Sequence, residues 1–121
     1  MQVATETIAF WTGAGPDRWF AVDPDFDALV RARFLPLHET AARGDLDGWE
    51  ARHEGALALL LLLDQFPRNM FRGAPRAFAT DSRALAVAER AIARNFDRAY
   101  ATPVRRFFYL PFMHAENLAW Q

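Results

Sequence analysis

Polar side chains of the kinds that bind ligands or move protons occur in the middle of the chain, on both sides of Pro67. Asp64 ends the strongly apolar segment 56–63, where an ionised carboxylate needs a hydrogen-bond donor. Arg68, four residues further on, could supply a bidentate guanidinium. These residues form either a ligand site or a structural staple, in which Asp64 and Asn69 bond the backbone groups that Pro67 frees.

A second candidate region is positively charged. Between residues 65 and 80 the chain has no acidic residue but contains Arg68, Arg72 and Arg76. Guanidinium groups and backbone N–H groups together could hold a phosphate or a carboxylate. Residues 1–30 carry five acids and one arginine, a local charge of −4. The alternative is that the two regions face each other or are simply solvated.

The third candidate is the C-terminal segment 111–121, which has a helical pattern. On such a helix His114 shares a face with Asn117 and Gln121, whereas Glu116 lies about 200° from His114 and makes a poor metal partner for it. His114 is either a hydrogen-bonded structural residue or a general base. Polar neighbours predict that His38 and His53 lie at the surface. The candidate ligand-binding residues are Asp64, Gln65, Arg68, Asn69, Arg72, Asp81, His114, Glu116 and Gln121.

Composition narrows the chemistry. The 121 residues include 14 arginines but neither lysine nor cysteine, so Schiff-base chemistry, thiolate nucleophiles and cysteine-based metal sites are excluded. No dinucleotide-binding, zinc-protease, esterase or calcium-loop motif occurs, and we expect neither a cofactor nor a metal. The net charge of −1 and a longest apolar run of eight residues favour neither nucleic acid nor membrane as a partner. We expect a cytoplasmic protein without a signal peptide.

Helical signals follow one another along the chain. Asp23-Pro24 predicts the start of a helix that kinks at Pro36 and stops at Gly44. Further helices are predicted at four places: a short one that carries Trp49, an apolar one over 56–66 that is set off by Gly55 and ended or kinked by Pro67, one over 104–109 and a last one from Pro111. Residues 67–76 are predicted to form a loop or a single helical turn. One more helix has Phe78, Leu85, Ala88, Ile92 and Phe96 on one face, with Ala84, Val87 and Ala91 beside them; it starts at Thr80 or Asp81, or near Pro75, and is stopped by Asn95.

This pattern predicts an all-α fold of antiparallel helix pairs, arranged as a tetratricopeptide-like right-handed superhelix. The alanine-rich segment 84–95 is similar to the second helix of a tetratricopeptide hairpin. We expect one domain over residues 1–121. The helical pattern still runs at Gln121, so we expect a C-terminal continuation of the fold to be missing.

Several motifs together resemble a known family. They are Leu-Asp-Gln-Phe-Pro-Arg-Asn at 63–69, Phe10-Trp11, Trp19-Phe20, Phe26-Asp27, the turn 44–49, the segment 77–81 and Leu-Pro-x-x-His at 110–114. The chain resembles the bacterial domain-of-unknown-function family nine hundred and twenty-four, whose helical fold is similar to tetratricopeptide repeats. Ala115 and Asn117 replace the Ser and Asp that this family usually has. The resemblance implies a fold and a conserved polar cluster, and no established reaction.

Three functions remain open. The first is a binding or interaction module, with Asp64, Arg68, Asn69 and the His114 region lining a groove for a peptide or small anionic ligand. The second is a hydrolase- or lyase-type enzyme in which Asp64 or Glu116 orients His114 as acid or base, which requires His114 and Asp64 to converge. In the third, the motif residues are purely structural.

Overall fold

The computed structural model describes the backbone of residues 2–119 and the side chains of residues 2–116, and every regular element in this part is helical. The helices are α1 (Gln2–Ala14), α2 (Pro16–Trp19), α3 (Pro24–Ala42), α4 (His53–Leu60), a π-helical segment (Leu61–Gln65), α5 (Phe66–Met70), α6 (Asp81–Ala93) and α7 (Leu110–Ala119). Four 3-10 turns complete them, at Asp47–Ala51, Pro75–Phe78, Phe96–Ala99 and Val104–Phe108. The predicted all-α class is confirmed; the superhelical arrangement remains a prediction.

Helix α3 begins and ends as its sequence predicts. The Asp23 carboxylate accepts the backbone N–H groups of Asp25 and Phe26, and Pro24 occupies the first helical position. The helix continues through Pro36 to Ala42. Gly44, two residues later, has a φ of 87°, a conformation that favours glycine.

A single helical run over 53–70, which we call the central helix, contains α4, the π-helical segment and α5. Gly55 lies inside α4, so the prediction that it separates two helices is wrong: burial among apolar neighbours overrides its weak helix propensity. The helix also continues through Pro67 for one more turn, to Met70. The preceding π turn, in which the Phe66 N–H bonds the Leu61 carbonyl, accommodates the proline.

The central helix is the core of the molecule, as its all-round apolar sequence predicts. Leu57 and the run Leu59–Leu63 are each at most 1% exposed. Helix α1 packs against α4, α3 against α5, and α6 against both α4 and α7. Beside the central helix, Trp11 and Trp19 stack with ring centroids 5.7 Å apart. These helices hold the central helix in one orientation.

The buried face of α6 is shifted from the predicted stripe onto the small residues that the sequence places beside it. Ala84, Val87, Ala88 and Ala91 are buried, so small side chains let α6 approach the central helix closely. Phe78 is 53% exposed because it belongs to the 3-10 turn before α6 and lies outside the phase of that helix. Asn95 adopts the predicted left-handed conformation, with a φ of 63°.

The middle of the central helix presents carbonyl groups that lack their usual helical donors. In a regular α-helix the Leu62 and Leu63 carbonyls accept the N–H groups of residues 66 and 67. Here the Phe66 N–H bonds Leu61 instead, and Pro67 has no N–H. Side chains from other elements supply donors: His38 Nδ1 lies 2.7 Å from the Leu62 oxygen, and Thr80 Oγ1 donates to the Leu63 oxygen at 2.6 Å.

His38 therefore has a role in the core, and the prediction that it lies at the surface is wrong. It is 3% exposed, and its Nδ1 must carry hydrogen in order to donate to a carbonyl. Burial lowers the pKa of His38 below its ordinary value of 6.5, against the opposing effect of the Leu62 hydrogen bond. The ring is neutral in the folded protein near pH 7.

No helix within residues 2–119 has the length and apolar content that a membrane crossing requires.

The buried His38 predicts that stability falls in mild acid. Its pKa is lower in the folded than in the unfolded chain, so its contribution is complete above pH 6.5 and is lost as the pH falls toward the folded-state value. The loss is up to about 1.4 kcal/mol per pH unit in that range. Urea unfolding at pH 7.5 and pH 5.5 measures it.

His38→Asn, whose amide can still donate but does not titrate, should show a smaller decrease between these two pH values. His53→Asn, at an exposed histidine, should show the full decrease. An equal decrease in His38→Asn and wild type would contradict this assignment.

Candidate functional site

Asp64 is at the centre of a polar network. It lies in the π-helical segment, is 2% exposed, and its Oδ1 atom lies 3.2 Å from Arg68 Nη1 and 2.9 Å from His114 Nδ1. Arg68 and His114 supply donors for Asp64 as predicted, although Arg68 contacts the Asp64 carboxylate through one nitrogen and not as a bidentate pair. His114 reaches it from α7, fifty residues further along the chain.

Arg68 connects three parts of the fold. Its Nη1 and Nη2 atoms donate to the two carboxylate oxygens of Asp81 at 2.8 and 2.9 Å, and Nη1 also donates to the Asp64 carbonyl at 2.9 Å. Asp81 begins α6, so this bidentate pair ties α6 to the central helix. The exposed Phe78 ring covers the guanidinium, whose carbon lies 5.2 Å from the ring centroid.

A second half of the network extends toward α3. Asn69 donates to Asp27 Oδ1 at 2.9 Å and accepts from Gln65 Nε2 at 3.0 Å. Arg72 Nε donates to Asp27 Oδ2 at 2.7 Å, and this bond raises the pKa of the Arg72 guanidinium. The acidic N-terminal region thus faces the arginine-rich segment at this point.

A pocket of about 240 Å³ opens beside the network. Its lining residues are Trp19, Phe20, Gln65, Arg68, Arg72, Leu110 and His114. The polar part of this wall consists of the Arg68 and Arg72 guanidinium groups, the His114 imidazole and the Gln65 amide, whose Nε2 already donates to Asn69 and to the Trp19 carbonyl. The side chains of Asp27, Asp64 and Asp81 are 15%, 3% and 13% exposed. The pocket lining therefore contains two guanidinium groups, while the carboxylates that pair with them are largely buried.

A larger groove of about 380 Å³ lies between α1 and α3, and Glu6 and Arg33 are among its lining residues. It contains no member of the polar network. We therefore assign the candidate site to the smaller pocket, where the polar side chains converge.

The structure brings together seven of the nine sequence-predicted residues. These are Asp64, Gln65, Arg68, Asn69, Arg72, Asp81 and His114. Glu116 is exposed on α7 and does not line the pocket, because it points to a different side of that helix from His114. Gln121 lies outside the described residues. Arg76 pairs with Glu39 at 3.1 Å, away from the pocket.

Sequence reasoning missed several participants. It assigned Asp27 only to the start of α3, and it did not place Trp19, Phe20 or Leu110 at a site. The signal was present in the motif pairs Trp19-Phe20 and Phe26-Asp27. The structural alternative predicted that Asp64 and Asn69 bond the backbone groups that Pro67 frees. The side chains that bond the Leu62 and Leu63 carbonyls are instead His38 and Thr80.

The contact between Asp64 and His114 determines what the histidine can do. An ionised Asp64 only accepts, so Nδ1 of His114 carries the hydrogen and Nε2 is left with a lone pair. Such an imidazole can accept a proton at Nε2 or bind a donor there. Among the described residues, no three histidine or carboxylate side chains are grouped so that they could hold a metal ion.

Fold and site together define a helical protein whose central helix carries a largely buried acid–arginine–histidine network beside a pocket lined by two arginines. The model of the family described as bacterial protein of unknown function (DUF924) matches residues 7–121, and the chain belongs to that family. A solved structure of a protein of unknown function from Agrobacterium tumefaciens is 50% identical, with a TM-score of 0.93. That match covers 98% of this chain and 67% of the other. No curated protein matches the chain.

The network predicts that removing Arg68 lowers the free energy of unfolding more than removing Arg90, although both arginines form bidentate pairs. Arg68→Met should destabilise the fold by about 3 kcal/mol, because Asp64 and Asp81 then lose a cation that compensates their charge in a buried setting. Arg90→Met removes the exposed bidentate pair with Glu50 and should cost less than about 1 kcal/mol. Urea unfolding of both variants measures the difference, and equal costs would contradict the role of Arg68.

Proposed function

We propose that the pocket beside the network binds a small anionic ligand, so that the protein serves as a binding module. The observation that carries this proposal is the arrangement of charge. The lining contains Arg68, Arg72 and His114, while the carboxylates that compensate the arginines are largely buried. A ligand carboxylate or phosphate would therefore meet the guanidinium groups first.

The non-polar part of the lining favours a ligand with an apolar portion. Trp19, Phe20 and Leu110 also line the pocket, and Phe20 is 49% exposed. The volume of about 240 Å³ is smaller than that of a drug-sized site, roughly 300–1,000 Å³, so the pocket suits a ligand of few atoms or the terminal residue of a peptide. An extended peptide would have to continue outside this pocket.

Arg72 offers the sharpest test of this proposal, because its side chain is 41% exposed and its removal leaves the buried Asp64 cluster intact. Arg72→Ala should weaken binding of a carboxylate probe such as phenylacetate at least tenfold in isothermal titration. Arg76→Ala removes an arginine of similar exposure that pairs with Glu39 outside the pocket, and should leave the affinity unchanged. Equal affinities of wild type and Arg72→Ala would count against the proposal.

A second candidate, a hydrolase- or lyase-type enzyme, is favoured by the 2.9 Å contact between His114 and Asp64. That contact meets the geometric requirement for a histidine base oriented by a carboxylate. Arg68 and Arg72 would then hold the anionic group of the substrate, and His114 Nε2 would take the proton from water or from substrate. Glu116 is left out of this candidate because it does not line the pocket.

Turnover of a panel of small carboxylate-bearing esters separates the enzyme from the binding module. An enzyme should lose at least a hundredfold in kcat in His114→Asn, with a smaller change in KM, because the base acts in the chemical step. Binding without turnover in wild type would favour the module. If the panel and the titrations are both negative, and Asp64→Asn only destabilises the fold, the network is purely structural.

A further inference from the structure

We infer that the ligand is a small monocarboxylate with an aromatic or apolar tail, and that its binding is coupled to uptake of one proton by His114. This inference rests on the proposed binding function. It specifies that the ligand carries a single negative charge and that one proton binds together with it.

The first step is the charge of the site. The carboxylates of Asp27, Asp64 and Asp81 are paired with the guanidinium groups of Arg68 and Arg72, so the cluster carries a charge of −1 when His114 is neutral. A carboxylate entering alone would raise this to −2 in a partly buried pocket, which is unfavourable. A proton that arrives with the ligand keeps the charge at −1.

The second step is the group that takes up the proton. His114 lines the pocket, is faced by Asp64 and Arg68 of the central helix and shares the wall with Arg72. On the α6 side, Asp81 is paired with Arg68, and on its own helix Glu116 is exposed. Because Nδ1 already donates to Asp64, the proton adds to Nε2, which becomes a further donor for the ligand.

The third step is the choice among anions. A monocarboxylate and one proton leave the charge of the cluster as it was, whereas a dianion such as phosphate adds one uncompensated charge. The aromatic lining residues Trp19 and Phe20, whose rings meet edge to face at 87°, also favour an apolar tail over a fully hydrated inorganic ion. We therefore expect phenylacetate to bind at least tenfold more tightly than acetate or inorganic phosphate.

Isothermal titration of phenylacetate in Tris and in Bis-Tris at pH 7.5 tests the inference directly. Neither form of these amine buffers, protonated or neutral, competes for an anion site, and the two buffers differ in their heat of ionisation. For wild type, the difference in binding heat should correspond to about one proton per ligand bound. Because one proton is taken up with the ligand, the affinity should also fall about tenfold per pH unit as the pH rises.

His114→Asn is the matched variant, since its amide can still donate to Asp64 but cannot titrate. It should bind phenylacetate more weakly than wild type at pH 7, with equal heats in both buffers and no pH dependence. His53→Asn, at an exposed histidine that bonds Tyr100, should keep proton uptake. Thermal unfolding of each variant verifies that it is folded.

The outcomes separate this inference from the proposal beneath it. Equal binding heats in the two buffers for wild type, or proton uptake that persists in His114→Asn, would overturn the inference while the binding site stands. Tighter binding of phosphate than of phenylacetate would overturn the charge class. If no probe binds at any pH between 6 and 8, the proposed function itself is wrong.

Discussion

The carbonyl groups in the middle of the central helix must find donors, and this requirement organises much of the structure. The π turn removes the Phe66 N–H from its usual acceptor, and Pro67 supplies no N–H at all. A buried carbonyl without a hydrogen-bond donor destabilises the fold. His38 and Thr80, which belong to two other elements, donate to the Leu62 and Leu63 carbonyls. Each contact also sets the position of a neighbouring element, α3 in one case and the start of α6 in the other.

The same distortion explains why a carboxylate can be buried at Asp64. The π turn and the proline place Asp64 at a point where Arg68 bonds both its carbonyl and its carboxylate. Arg68 in turn holds Asp81 with two bonds, and His114 adds a donor from α7. The charges are partly removed from water, so the geometry must be held by several elements at once. A network of this kind stabilises the packing of the elements that it joins.

Much of the fold could be predicted from the sequence because its signals are local. The cap at Asp23 and the left-handed Asn95 follow from backbone rules that act within a few residues. Gly55 was misread because its propensity is weak compared with the effect of burial, and Phe78 because a 3-10 turn breaks the helical phase. Those errors concern positions where tertiary packing overrides a local preference.

By itself the sequence determined the helical class and the apolar central helix. It also determined the contact between Asp64 and Arg68, because residues four apart lie on the same side of a helix. Only the tertiary structure decided that His114 meets Asp64 and that Asp27 meets Arg72, because these partners are 50 and 45 residues apart and no periodic pattern joins them. It also decided that His38 is buried. Packing joined these polar residues into one network beside a pocket that Arg68, Arg72 and His114 line, with the carboxylates of Asp27 and Asp64 largely buried.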